Sequence, residues 1–387
     1  MKKKIAILGS TGSIGKTLFN ILLKEKKKCE LFLLTAHKSH KILLKQAKAL
    51  NVKNLIITNK KDYKILKEKT KKTKIRVFNN FKELDKIFKR KIDYVMSSIS
   101  GIDGLEPTIK IIKFTKKIAI ANKESIICGW NLIQDQLKKN KTEFIPVDSE
   151  HFSIWYGLKN FKNNTLEKVI LTASGGPFYK TNIDNFKRIK VSDALKHPNW
   201  NMGKKISIDS ATMINKVFEV IEARKVFDID YQRIKILIHP KSYIHAILKF
   251  NNGLTNIVVH DTTMRVPIFN TLFLTDNCKL KTNKININVL NNLNLNHVNP
   301  KQFPMIKLLS LLPDNNSLFE TVIVAANDKL VELFLKNKIR FTDIQKNLFK
   351  IIKKKEFQKF KKKLPVNIKD ITNLNDYVRL KIEKNNI

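Results

Sequence analysis

Four polar side chains interrupt an otherwise apolar run: Asn215, Lys216, Glu219 and Glu222 within SATMINKVFEVIEA, Ser210 to Ala223. Residues three and four apart share a helix face, so the spacing predicts one helix with Asn215 and Lys216 a turn from Glu219. Their neighbours Met213, Ile214, Val217, Phe218, Val220 and Ile221 are apolar. Burying an unpaired charge is expensive, so the stripe faces a partner domain, a metal or a charged ligand, unless it is the solvated face of an ordinary core helix. Ser210 is placed to cap this helix, whose N-terminus favours anions. Asp148, Ser149 and Glu150 form a second cluster after a strand-like run. In an extended segment their alternation sets both carboxylates on one side, where they repel unless protonated or shared by a cation. A hard divalent ion with oxygen ligands suits the pair; a helix cap or solvated loop suits the same triplet.

These clusters need a scaffold, and the first part of the chain supplies one. Residues 4 to about 147 alternate strand-like and helix-like patterns, from KIAILG through ELFLLTA, NLIIT, KIRVF, IDYVMSSIS and KIAIA to FIPV. Such alternation predicts a parallel, doubly wound, Rossmann-like α/β sheet, whose ligands bind at the carboxyl ends of the strands. The first such end carries GSTGSIG, Gly9 to Gly15. Its spacing departs from G-x-G-x-x-G, but its place between strand and helix suits a pyrophosphate as well as an ordinary tight turn. An NAD site sets an acid against the ribose hydroxyls roughly 20 residues further on. Here the second strand ends in Ala36, His37, Lys38 and Ser39. With a lysine in place of a carboxylate, a 2′-phosphate is favoured, and the cofactor reads as NADPH. Two later strand ends, SSISGIDGLEPT and ANKES, are also polar, the second holding Asn122, Lys123 and Glu124.

Beyond Ala173 the chain runs through SGGPFYK to HPNWNMG, His197 to Gly203, with glycine and proline punctuation and no strong period. A segment of this length, about 174–204, reads as a lid or a packed surface loop. YIHAILKF and LTNIVVHD, joined through NNG, read as a hairpin, with His239, His245 and His260 structural. Residues 284–300 are Asn-rich and read as a linker. The remainder, 301–387, is helical, with capping boxes expected at Ser317 to Glu320 and Thr342 to Gln345. The expected organisation is a cofactor domain over 1–150, a catalytic α/β domain over 151–283, the linker, and a C-terminal helical bundle.

Composition bounds the rest. No apolar run reaches transmembrane length and the N-terminus enters a strand at once, so the chain reads as soluble and cytoplasmic, with no membrane partner. Cys29, Cys128 and Cys278 are too few and too scattered for a disulfide framework or a cysteine-rich zinc site. A net charge of +42 invites a nucleic-acid partner. Only eight of the 75 basic residues are arginine, however, and the lysines are spread through every segment. A nucleic-acid surface concentrates charge and uses arginine for bidentate contacts, so none is expected here.

Taken together, GSTGSIG, ANKES, VDSEH, LTASGGPF, HPNWNMGKKISIDSATMINK, IEAR, LIHP, AAND and IRFTDI resemble, in order and spacing, the segments of the 1-deoxy-D-xylulose 5-phosphate reductoisomerase family. The resemblance covers nearly the whole chain. It implies a divalent metal, Mg²⁺ or Mn²⁺, on Asp148, Glu150 and Glu219. It implies substrate contacts from Lys123, Ser149, Glu150, Ser174, His197, Ser210, Asn215 and Lys216, with Trp200 and Met202 on a covering lid. An NADPH site would be lined by Thr11, Gly12, Ser13, Ile14, Lys38, Ser39, Asn122, Glu124 and Gly203. It further implies a homodimer and a phosphorylated sugar substrate, rearranged by a retro-aldol and aldol sequence or an α-ketol shift and then reduced. Three positions depart from the family pattern: His37 stands where glycine is common, VVHDTTMR lacks the expected Gly and Pro, and Asp328 replaces Glu. The enzymatic rival is a semialdehyde or hydroxy-acid dehydrogenase; an acylated semialdehyde dehydrogenase needs an activated thiolate, and no cysteine here sits in such a motif.

Overall fold

The computed structural model describes residues 2–159, 161, 165–200, 202–284 and 286–384. Its contacts divide the chain into two compact units: Met1–Ser125, Leu132–Asp148 and Met264–Lys281 in the first, Ile126–Asn131, Ser149–Thr263 and Thr282–Ile387 in the second. Each unit is assembled from segments that are discontinuous in the chain. Residues 264–281 return to the first unit, and the segment from Thr282 onward falls in the second with Ser149–Thr263.

The first unit is built on seven strands, β1 (Lys3–Leu8), β2 (Cys29–Ala36), β3 (Asn54–Ile57), β4 (Arg76–Phe78), β5 (Ile92–Ser97), β6 (Thr115–Ile120) and β7 (Glu143–Pro146), in the order β4-β3-β2-β1-β5-β6-β7. Every pairing is parallel, as the alternation of patterns requires. Helices α1 (Ser13–Lys24), α2 (His40–Ala49), α3 (Lys60–Thr70) and α4 (Lys123–Lys139) lie among the crossovers. The strand order reverses at β1, and that is where an open sheet leaves a ligand crevice. The helix Arg265–Phe273 contributes Ile268, Phe269, Leu272 and Phe273 to the core that contains Ile5, Ile7, Leu18 and Leu34. Sequence order gave no hint of this, because apolar periodicity says which face is buried and not against what.

In the second unit α5 (Ser149–Gly157) precedes a mixed sheet of β8 (Leu166–Ala173), β9 (Ile234–Ile238), β10 (Ile244–Phe250), β11 (Thr255–Val259) and β12 (Asn296–His297), ordered β11-β10-β8-β9-β12. The expected hairpin is β10–β11, antiparallel, with Gly253 at φ +87° in its turn. The expected linker holds β12, which pairs with β9, and a short helix Ile287–Leu290; Ile285 lies outside the described residues. After β8 come a 3-10 turn at Ile183–Arg188, a short helix Val191–Ala194, and then α6 (Lys204–Ala211) and α7 (Ile214–Phe227); the C-terminal part is helical as expected, with α8 (Phe319–Leu335), α9 (Phe341–Ile352) and α10 (Ile368–Lys384). Ser317 does hydrogen-bond Glu320 and receives the Phe319 N–H at 3.1 Å. The helix expected to start at Thr342 starts two residues earlier, after Arg340, whose N–H is accepted by Asp343 at 2.9 Å; an arginine side chain cannot return the bond, so this is half of a box.

The single helix expected over Ser210–Ala223 is two. Met213, at φ +67°, occupies the left-handed region and breaks the run between α6 and α7. For a side chain other than glycine that conformation costs about 1–2 kcal/mol. Met213 is buried in a small cluster with Ala173, Ile238 and Phe303, and that packing offsets the strain.

Candidate active site

At the end of β1 the glycine turn is sterically dictated. Gly9 has φ +80°, and a Cβ there would stand 2.7 Å from the Ser98 carbonyl oxygen; at Gly15 it would stand 2.4 Å from that of Gly9. Thr11 lies in the turn, Gly12 is the extended N-cap of α1, and Ser13 and Ile14 begin its first turn, which has no acidic residue and no side-chain cap. Backbone N–H groups left unsatisfied by side chains are an anion site. At the end of β2, His37 and Lys38 are exposed and Ser39 precedes α2. His37 Nδ1 lies 2.8 Å from Thr58 Oγ1, and Asp62 is paired with His40.

Asn122 caps α4, accepting the Ser125 N–H at 2.8 Å, and its amide donates to the carbonyls of Ile99 and Gly101. Both amide protons are thus spent on the fold. Lys123 is buried and its ammonium lies 2.9 Å from Asp148 Oδ2. Glu124 follows in the first turn of α4.

In the second unit the charged residues of the polar stripe are buried and paired, with Asn215 half-buried beside them. Lys216, Glu219 and Glu222 are 4%, 1% and 1% exposed. Lys216 Nζ donates to Glu150 Oε1 at 2.6 Å and also pairs with Glu219, while Asn215 donates to Glu219 Oε1 at 2.5 Å. Glu150 and Glu219 each offer an oxygen within 4.8 Å of the other. Burial alone pulls the Lys216 ammonium down, but the charges of Glu150 and Glu219 outweigh it and hold its pKa above the usual lysine value. Glu150 reaches this position from the first turn of α5, not from the extended segment expected, and Ser149 donates to it at 2.5 Å. The break at Met213 has a matching effect: it brings a helix N-terminus, without acidic residues in its first turn, directly to Asn215 and Lys216.

Ser174 and His197 form a second group. The His197 ring accepts at Nδ1 from the N–H groups of Asn199 (3.1 Å) and Trp200 (3.0 Å), so its proton sits on Nε2, which donates to Ser174 Oγ at 2.9 Å. Ser174 Oγ also accepts the Gly176 N–H at 3.0 Å, and its own proton is left to donate to a ligand. Burial pushes the His197 ring down to about 4, so it is neutral at physiological pH and this tautomer persists. Gly176, at φ +65°, lets the loop approach the Ser210–Ala211 backbone, where a Cβ would stand 3.0 Å from the Ser210 carbonyl oxygen. Ser210 therefore lies beside this loop near the end of α6, and does not cap a helix. Met202 and Gly203 precede α6, whereas Asn201 of HPNWNMG lies outside the described residues.

Two residues in the same neighbourhood carried no sequence signal strong enough to single them out. His151 Nε2 donates to the Glu219 carbonyl at 2.8 Å and its Nδ1 lies 3.4 Å from Glu222 Oε2, fixing the helix turn that bears Glu219. Asn199 donates to the Pro240 carbonyl at 2.5 Å and to Ser242 Oγ at 2.9 Å, tethering the segment expected to be a lid. His151 was visible as the residue after Asp148-Ser149-Glu150, and Asn199 as part of HPNWNMG, but their partners are far away in sequence.

A dinucleotide-type parallel domain, followed by a second unit that holds buried carboxylates paired with a buried lysine, fits the class of two-part nucleotide-dependent enzymes acting on small molecules. Three family models match: 1-deoxy-D-xylulose 5-phosphate reductoisomerase over residues 5–129, its C-terminal domain over 144–227, and the DXP reductoisomerase C-terminal domain over 260–381. The chain is 59% identical over 382 residues to the 1-deoxy-D-xylulose 5-phosphate reductoisomerase of Pelagibacter ubique, covering 98% of each chain. It is 39% identical to that of the Wolbachia of Culex pipiens, covering 88% of each. Among solved structures it is similar to the Zymomonas mobilis reductoisomerase in complex with NADPH (TM-score 0.89, 28% identity, 100% and 99% of the two chains). A reductoisomerase in complex with NADPH, fosmidomycin and magnesium matches with TM-score 0.90 and 28% identity over 99% and 98%. The chain belongs to the 1-deoxy-D-xylulose 5-phosphate reductoisomerase family.

Proposed function

We propose a division of labour among these residues for the reaction that family membership supplies. The chain is an NADPH-dependent oxidoreductase of non-mevalonate isoprenoid biosynthesis. With a divalent metal it isomerises and reduces 1-deoxy-D-xylulose 5-phosphate to 2-C-methyl-D-erythritol 4-phosphate. Asp148, Glu150 and Glu219 would hold Mg²⁺ or Mn²⁺. The observation that carries this is the convergence of Glu150 and Glu219 on one positive charge, Lys216 Nζ: two hard-oxygen donors face a single point, as they would face a divalent cation. Asp148 precedes Ser149 in the chain and is two residues from Glu150, so connectivity keeps a third carboxylate at hand. When bound, the metal supplies Lewis-acid polarisation of the substrate's ketone and hydroxyl oxygens.

The chain's own groups bind and orient. Lys216 and Asn215, at the N-terminus of α7, and Ser174, with its free hydroxyl proton, suit a phosphate or a sugar hydroxyl; His197 orients that serine and Ser210 lies alongside. Lys123 and Ser149 line the substrate backbone. Segment 174–204, with Trp200 and Met202, is a lid that keeps the rearranged intermediate from water until hydride arrives. Thr11, Gly12, Ser13, Ile14, Lys38, Ser39, Asn122, Glu124 and Gly203 serve NADPH. The decisive measurement follows NADPH oxidation with 1-deoxy-D-xylulose 5-phosphate, with and without Mn²⁺. Turnover should need both substrate and metal, and metal-independent oxidation would remove the carboxylate assignment.

Lys38 and Ser39 in place of an acid favour the phosphorylated dinucleotide. In Lys38→Asp the preference for NADPH over NADH should shrink on the order of tenfold to a hundredfold, the worth of one charge-assisted phosphate contact. Binding titrations with each dinucleotide read this directly, and equal affinity of the wild type for both would sink it. A homodimer is supported by the edge strand β11, where Ile257 is 45% exposed and Leu254, just before it, 58%. A solution mass of one chain would remove that reading. Among the described residues no helix is long and apolar enough to cross a membrane; a cytoplasmic location is part of the proposal, and recovery in the membrane fraction would oppose it. The four segments expected from sequence remain a proposal about separately folding pieces, which limited proteolysis would test.

A further inference from the structure

Three rings meet in series, starting from Trp200. The Trp200 ring meets His245 edge-on, with centroids 6.2 Å apart at 74°, and His245 stacks on His260 at 3.7 Å and 14°. The stack is made by a bulge. Ile244 pairs with Val259 and Ala246 with Val258, so His245 is the extra residue of β10 and its side chain is re-aimed towards the end of β11, where His260 follows.

Hydrogen bonds lock both rings. His245 Nε2 donates to the His260 carbonyl at 3.3 Å, and His260 Nδ1 donates to the Asp261 carbonyl at 2.8 Å, since a carbonyl only accepts. Burial holds the His260 ring below the usual histidine range, in the neutral form that can stack closely. Its Nε2 is buried and has no hydrogen-bond partner among the described residues, so packing rather than polar contact at that edge places the ring. His260 belongs to VVHDTTMR, the segment that lacks the Gly and Pro of the family pattern.

The lid residue is therefore held at two levels. Its backbone is held through the Trp200 N–H to His197 and through Asn199 to Pro240 and Ser242. Its indole meets the His245 ring, and that ring is stacked on His260. We propose that His260 is a positioning residue for Trp200: by stacking on His245 it orients the lid tryptophan before substrate arrives. This rests on reading 174–204 as a lid. Pre-orientation lowers the ordering cost of closure, so its loss raises substrate KM and speeds ligand release while leaving kcat at saturation less affected.

The test uses full-length protein carrying Trp130→Phe and Trp155→Phe, so that Trp200 alone fluoresces. In His260→Leu, which keeps bulk without a stacking face, time-resolved anisotropy of the ligand-free enzyme should show a looser indole. Fosmidomycin should leave the enzyme loaded with Mn²⁺ and NADPH roughly three to tenfold faster, the scale of one aromatic pair. His260→Phe should restore both, and Mn²⁺ affinity should be the same in all. If His260→Leu fails to fold, His260→Ala is read in its place. An indole equally restrained with leucine or alanine at 260, or one that phenylalanine fails to restore, overturns the proposal. Trp200→Ala separates the two readings: unchanged fosmidomycin release in that variant removes the lid, whereas the anisotropy result decides the stack by itself.

Discussion

Glu219→Gln should give a folded protein that binds Mn²⁺ on the order of a hundredfold more weakly and turns over at least a thousandfold more slowly, even with substrate saturating. Glu219 is 1% exposed, accepts from Asn215 and pairs with Lys216, while His151 fixes its backbone carbonyl. Glutamine keeps the shape and can still accept from Lys216, so the fold survives with a loss of about 1–3 kcal/mol for weakened buried bonds. What it cannot do is offset a divalent charge. Titrating Mn²⁺ into the variant and measuring turnover decides the matter, because unchanged Mn²⁺ affinity would make Glu219 a structural residue and move the metal elsewhere.

Lys216→Met tests the other side of the same contact. From sequence this lysine reads as a phosphate partner alone, and its loss would raise the substrate requirement and leave metal affinity nearly intact. The structure adds a second role, because Nζ touches Glu150 and Glu219, across 66 residues in the first case. Without it two buried carboxylates face each other uncompensated. The metal-free variant should be destabilised on the order of 3 kcal/mol, and Mn²⁺ should raise its melting temperature more than it does in the wild type. Substrate KM should rise roughly tenfold to a hundredfold through the lost phosphate contact. Mn²⁺ affinity should be equal or tighter, since a competing cation is gone. Weaker Mn²⁺ binding would instead mean that Lys216 holds the carboxylates in place for the metal.

The sequence by itself determined whatever depends on local pattern. Alternating periods of two and 3.6 specified the parallel sheet, because each strand and helix must bury one face whatever its neighbours are. GSTGSIG marked the turn at β1, since a side chain at Gly9 or Gly15 would collide with backbone. The missing acid after β2 identified the cofactor class, and ordered motifs identified the family. Tertiary structure alone decided the pairings. Periodicity ran straight through Met213, where burial against Ala173, Ile238 and Phe303 sustains a left-handed residue that splits the helix. An apolar pattern could not assign residues 264–281 to the first unit, nor make a strand of Asn296–His297, whose partner β9 is distant in sequence. Charge pairing is longer-ranged still: the stripe showed that Lys216 and Glu219 needed partners, but not that Glu150 would be one. Nor could it show that a bulge at His245 would stack one histidine on another beneath Trp200. Local conformation is dictated within a few residues, whereas desolvation makes every buried charge and ring depend on whatever the fold brings within a few ångströms.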